Sequence, residues 1–245
     1  MALIQNHFFS GALTESSSMN IIIPAESCQK EKYPVLWLIP PAGYDHTSWS
    51  RYTDVECLAN EMGIMVVMPD MKLSYGLDMA HGFAYFKMLT QELPELIKEY
   101  FPADMEMQMI AGAEEGAYTA LMAAFQFPEN YQKVIACSCG SLTDEDFEGE
   151  VRRNIENAFG TGSMSELLGT EYSLAYWMKK RGEKLPPVYL SYSFNDKYCH
   201  SAELLKAELE KIQKNHVEVF STRLTWSEWS QLLRKNVSLG TKWIA

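Results

Sequence analysis

The run MQMIAGAEEGAYTALMAAF holds the pattern Gly112-Ala113-Glu114-Glu115-Gly116, a Gly-x-x-x-Gly turn between a β-branched, Met-rich segment and an Ala-rich one. That order is the layout of a nucleophile elbow, in which a tight strand-to-helix turn lifts one side chain out of a sheet for attack on an acyl carbon. The lifted position is ordinarily Ser, and here it is Glu114. A carboxylate at such a turn can act as a nucleophile that forms an ester, which a His-activated water then cleaves. Its blander role is to cap backbone N–H groups at a helix start, where negative charge is favourable. The neighbouring Glu115 is expected to face solvent or pair with a cation.

Such a turn needs a sheet and helices to hold it. Strand patterns fall at 4–9, 20–23, 35–39, 64–68, 107–111, 133–137, 188–192 and 217–221. From residue 35 onward the strands are continuous apolar runs such as VLWLI and IMVVM, the pattern of strands buried on both faces. Helical patterns fall at 53–62, 82–101 with a kink expected at Pro94, 115–127, 200–214 and 227–235. The alternation predicts an α/β chain with a mostly parallel, doubly wound sheet of about eight strands, opening on an antiparallel edge pair. Residues 141–186 are polar, carry helical fragments and are too long for an ordinary connection, so they read as a cap-like insertion within a single domain spanning 1–245. Ligands in such sheets bind at the carboxyl ends of the strands, which directs attention to the loops after residues 39, 68, 111, 137, 192 and 221.

Composition limits the partners. The 245 residues carry 21 Lys and Arg against 32 Asp and Glu, a net charge of −11, which disfavours nucleic acid and anionic membrane. No run of about 18 apolar residues occurs, so no membrane span is expected, and the cytoplasm is the default location. The cysteines at 28, 57, 137, 139 and 199 form an odd set without CxxC spacing and read as free thiols. Cys137-Ser138-Cys139 and the 14 Met residues read as core packing. No cofactor is expected. Glu114, Glu115, Asp196 and His200 are the only metal set worth naming, and no ligand spacing supports it, so no metal is expected.

Taken in order, ALIQNHFFSGAL, YPVLWLIPPAGYDHTSW, VVMPD followed by SYGLDM, QELPELIKEYFP, the elbow run and a terminal W-x-x-W at Trp226 and Trp229 resemble the esterase D family of α/β-hydrolases. That family includes S-formylglutathione hydrolases, tributyrin-type esterases and feruloyl or acetyl xylan esterases. The resemblance covers nearly the whole chain and implies an α/β-hydrolase fold with a Ser–His–Asp triad and an oxyanion site of backbone N–H groups. Carried over residue by residue, it puts Glu114 at the nucleophile, Asp196 at the acid and Leu224 at the His, two places before Trp226. The His-Gly that opens the family's oxyanion loop is replaced by Pro40 and Pro41, which removes an N–H at each place. Arg223 and Thr225 cannot serve as the missing base.

The resemblance thus implies the frame of an esterase without its serine–histidine unit, acting on a small-molecule ligand in the former acyl pocket or on a protein partner, with a homo-oligomer open. The alternative is an active ester hydrolase or acyl transferase using Glu114 with a relocated base. Among the five histidines, His200 is the first candidate for that base. His46, in the HTSW run, and His81 read as loop residues, and His7 and His216 as structural. Pro40, Pro41, His46, Glu115 and His200 are the expected pocket residues. Phe159, Tyr172, Tyr176 and Trp177 are expected to line a pocket or make a subunit contact.

Overall fold

The computed structural model describes residues 1–25, 31–147, 149, 151–212 and 215–238. Cys28 lies outside the described residues. Eight strands form one sheet in the order β1-β2-β4-β3-β5-β6-β7-β8, from β1 (Ala2–Ser10) and β2 (Glu15–Ile23) through β3 (Tyr33–Ile39), β4 (Met65–Pro69), β5 (Ala103–Ala113), β6 (Lys133–Cys137), β7 (Val188–Ser193) and β8 (Asn215–Phe220). The β1–β2 and β2–β4 pairs are antiparallel. All others are parallel, as the continuous apolar runs predicted.

Period-two alternation sorts the side chains into two cores. Val35, Trp37 and Ile39 of β3 enter the larger cluster with Met65 and Val67 of β4. Leu36, Leu38, Val66 and Met68 enter the second. The helices α1 (Ser48–Tyr52), α2 (Val55–Met62) and α9 (Trp226–Ser238) contribute Trp49, Leu58, Trp229 and Leu233 to the second cluster. The larger one takes α5 (Glu115–Gln126) and α8 (Cys199–Leu209), together with α6 (Arg152–Phe159) and α7 (Leu174–Arg181) from segment 141–186. Cys137 and Cys139 are buried and free, one in each core, as expected of packing residues.

The irregularity expected at Pro94 falls one turn earlier. After α3 (Tyr85–Lys87), residues Met88–Glu92 wind as a π turn, and Pro94 sits in the first turn of α4 (Leu93–Tyr100). Widening the turn ahead of Pro94 removes the carbonyl that its ring would strike. It also aims Glu92 at the β1–β2 hairpin, where its carboxylate accepts from the Gly11 N–H at 2.6 Å and from the Ser10 hydroxyl. No helix among the described residues is long and apolar enough to cross a membrane.

Candidate active site

Strand β5 ends at Ala113 and α5 begins at Glu115, so Glu114 alone makes the turn, at φ 50° and ψ −128°. That region favours glycine, and a side chain held there stores strain of about 1–3 kcal/mol. The turn is anchored by the Glu114 N–H, which donates to the Cys137 carbonyl of β6 at 2.9 Å, and by the Ala117 N–H, which donates to the Glu114 carbonyl at 2.9 Å. Both flanking glycines are needed for space. A Cβ on Gly112 would stand 2.2 Å from the Gly116 carbonyl oxygen, and one on Gly116 would stand 2.4 Å from that of Pro40.

The Glu114 side chain is half-buried and does not cap α5 as expected. Burial pushes its carboxyl up to about 7; the Glu115 carboxylate and Asp196 add to the rise, while Arg223 and Lys197 oppose it. The lifted group is therefore poised between its charged and neutral forms near neutrality.

Glu115 departs from expectation. It is buried at 7% exposure rather than solvent-facing. One carboxylate oxygen accepts from the Ala42 N–H at 3.2 Å and the other from the Tyr198 hydroxyl, which lies at the start of α8. Desolvation, followed by the Glu115 charge, pushes the pKa of that phenol well above the ordinary tyrosine range, so it stays protonated and donates. An oxyanion site on this frame is built from the N–H after the nucleophile and an N–H of the loop that follows β3. Ala42 is the first residue of that loop, after Pro40 and Pro41, with an N–H to offer, and a carboxylate from the protein itself occupies it. The space beside it, between Pro40, Met71, Tyr75, Gly116 and Thr119, is only about 10 Å³, room for no more than a single water. Beside the Glu115–Ala42 contact, therefore, the structure leaves no room for an acyl group.

Asp196 stands where the acid was expected and is buried. Its two oxygens accept from the backbone N–H groups of Ser193 at 2.8 Å and Leu224 at 2.9 Å. It therefore ties the loop after β7 to the loop after β8. Leu224 itself is buried at 2% exposure in the second core. Nearby, Trp226 packs edge-on against Tyr44, Trp49 and Trp229, with ring centroids 5.3, 5.0 and 5.1 Å away. The Trp229 indole N–H donates to Ser138 at 3.0 Å.

The two histidines expected in the pocket are differently placed. His200 is exposed in the first turn of α8, because the helix turns its buried face, Ser201, Ala202 and Leu205, toward the sheet. His46 lies 3.7 Å from Asp70, whose carboxylate is already 2.5 Å from the Lys72 ammonium. Pro41 is buried without lining the residual space, whereas Pro40 lines it. Of the others, His216 stacks on Tyr189 at 4.6 Å and His7 bonds Ser18 at 2.8 Å, both structural. His81 is an exposed loop residue. No group of three metal-ligating side chains occurs among the described residues. Tyr198 and Ala42 escaped the sequence reading. A tyrosine two places beyond an acid has no spacing signal, and a backbone N–H has no side chain to announce it.

Residues 10–238 match the family model described as "Putative esterase". An S-formylglutathione hydrolase of Paracoccus denitrificans (strain Pd 1222) is 33% identical over 127 residues, which are 43% of this chain and 46% of that protein. The aligned part thus spans about half the length of that relative. The fold is shared with the Staphylococcus aureus serine hydrolase FphF (TM-score 0.86, 20% identity, 97% of each chain). It is also shared with the S-formylglutathione hydrolase FrmB of Staphylococcus aureus (TM-score 0.83, 19% identity, 97% of each chain). The elbow turn of β5 and α5, the acid loop after β7 and the match along nearly all of the sequence converge on one conclusion: the chain belongs to the esterase family of α/β-hydrolases.

Proposed function

We propose that this member of the esterase family does not work as a serine hydrolase and acts by binding. The observation that carries the reading is the Glu115 carboxylate, seated on the Ala42 N–H where a substrate oxyanion would be stabilised. Electrostatic stabilisation of that oxyanion is commonly the largest catalytic contribution, and a fixed negative charge there opposes it. Glu114 for the nucleophile and the buried Leu224 for the base point the same way, since these groups act as a unit. The test is hydrolysis of p-nitrophenyl acetate, p-nitrophenyl butyrate and S-formylglutathione, the substrate named for the Paracoccus relative. The expected result is no turnover above the uncatalysed rate and no labelling by a fluorophosphonate probe. Turnover that disappears in Glu114→Ala refutes the reading.

A second reading is favoured by the Glu114 carboxyl, which titrates near neutrality on a strained turn, as a reactive group would. In that reading the Glu114 carboxylate attacks the acyl carbon of an activated ester, the ester C–O bond breaks, the phenolate leaves with its electron pair, and a mixed anhydride remains on Glu114. Incubation with p-nitrophenyl acetate would then add an acetyl mass to a peptide containing Glu114. The base named for this reading, His200, is exposed in the first turn of α8.

A further inference from the structure

We propose a small-molecule site away from the elbow, in the cavity between segment 141–186 and helices α5 and α8, whose ligand is a single aromatic ring bearing a neutral or cationic substituent. This goes beyond the binding reading above, because it names a different site. The cavity measures about 190 Å³, against about 10 Å³ for the space beside Glu115. An apolar cavity of about 150 Å³ accepts benzene, so this volume suits one ring with a short substituent.

The lining sets the chemistry. Tyr118, Phe159 and Tyr172 present three rings, with Phe159 6.4 Å from Tyr118 and 6.3 Å from Tyr172 in tilted and edge-on contacts. They are held in place because the Tyr118 hydroxyl donates to the Tyr172 carbonyl at 2.7 Å. A preset aromatic wall favours a further ring over a flexible chain, which would lose rotamer freedom on entry. Leu168 and Leu204 also line the cavity and remain 71% and 42% exposed, leaving apolar surface for a ligand to cover. Ser141 and Ser173 supply hydroxyls. Among the described residues, the one charged side chain in the lining is Glu208, whose carboxylate has the Lys211 ammonium 2.6 Å away. With a carboxylate at the site and a net charge of −11 on the chain, an anionic substituent is disfavoured.

The probes are benzylamine, benzyl alcohol, benzoate and hexylamine. They are titrated into protein carrying ¹³C-methyl methionine, and the resonance of Met164, a lining residue, is identified by its loss in Met164→Leu. Benzylamine and benzyl alcohol are expected to shift that resonance saturably, with dissociation constants on the order of 1 mM, given so few atoms. Benzoate should bind at least about tenfold more weakly. Ala175→Trp places bulk in the cavity from an exposed position on α7 and should abolish the shifts, and Leu168→Trp at the mouth provides a second block. Glu208→Gln should remove any preference for benzylamine over benzyl alcohol. The proposal is overturned if Met164 does not move with either aromatic probe, if both blocking variants bind as the parent does, or if benzoate or hexylamine binds as tightly as benzylamine. Ester turnover is a separate measurement, so failure here leaves the reading of the elbow standing, and the converse holds.

Discussion

At the residue scale, Glu114 combines two costs, a backbone conformation suited to glycine and a carboxyl displaced to about 7. Its folded value lies above the ordinary 4.5, so between those values the native state binds more protons than the unfolded one. Stability contributed by protonated Glu114 is therefore complete below about pH 4.5 and is lost as pH rises through about 7. With allowance for its partial exposure, the loss amounts to about 2 kcal/mol. Glu114→Gln is expected to raise stability by about that much at pH 8, to change little at pH 4, and to flatten the slope between, as urea unfolding at several pH values would show. Glu114→Gly, which accommodates the turn, should also stabilise at pH 4, by about 1 kcal/mol, because relief of strain does not depend on the proton. A destabilised Glu114→Gly would mean that the turn is not strained. Asp196, by contrast, ties two loops together. Its replacement by Ala strands two buried N–H groups and is expected to cost about 2–3 kcal/mol in the same measurement.

At the element scale, Glu115 joins three pieces of chain: the loop after β3 through Ala42, the start of α5, and the start of α8 through Tyr198. Tyr198→Phe removes one of its donors and leaves a buried carboxylate short of a partner. The expected cost is about 2 kcal/mol by thermal unfolding; no change in melting temperature would show that the contact carries no weight. The elbow itself was legible in the sequence because Gly112 and Gly116 have a steric reason visible in their spacing. The Glu115 contacts with Ala42 and Tyr198 were not, because they join residues 73 and 83 positions apart, and no local pattern encodes such a meeting. The break before Pro94 was read from the proline, but its place depended on which turn could widen and on Glu92 finding the hairpin.

At the scale of the whole molecule, the chain has the frame of the esterase family, and the proposal that it lacks serine-hydrolase chemistry rests on Glu114, Leu224 and the seat of Glu115. Restoring the familiar groups through Glu114→Ser, Leu224→His and Pro41→Gly leaves the Glu115 carboxylate on the Ala42 N–H. That triple variant is expected to stay at background with p-nitrophenyl acetate. Adding Glu115→Ala frees the donor and should raise the rate by about 100-fold over the triple variant, the contribution of one oxyanion donor. Equal rates for the two would show that the plug is not what blocks catalysis. The sequence by itself determined the layered fold, since strand alternation and helical periodicity follow from local geometry that each segment carries within itself. It also carried the resemblance to the family and the place of the elbow, with Glu114 and Leu224 at the positions that the resemblance assigns to Ser and His. Only the tertiary structure decided that the space beside the Ala42 N–H is closed, that Glu115 turns inward, that His200 turns outward and that the larger cavity is lined by segment 141–186. Each of these depends on side chains from distant elements competing for the same space and the same N–H, which is settled by packing and leaves no periodic trace in the chain.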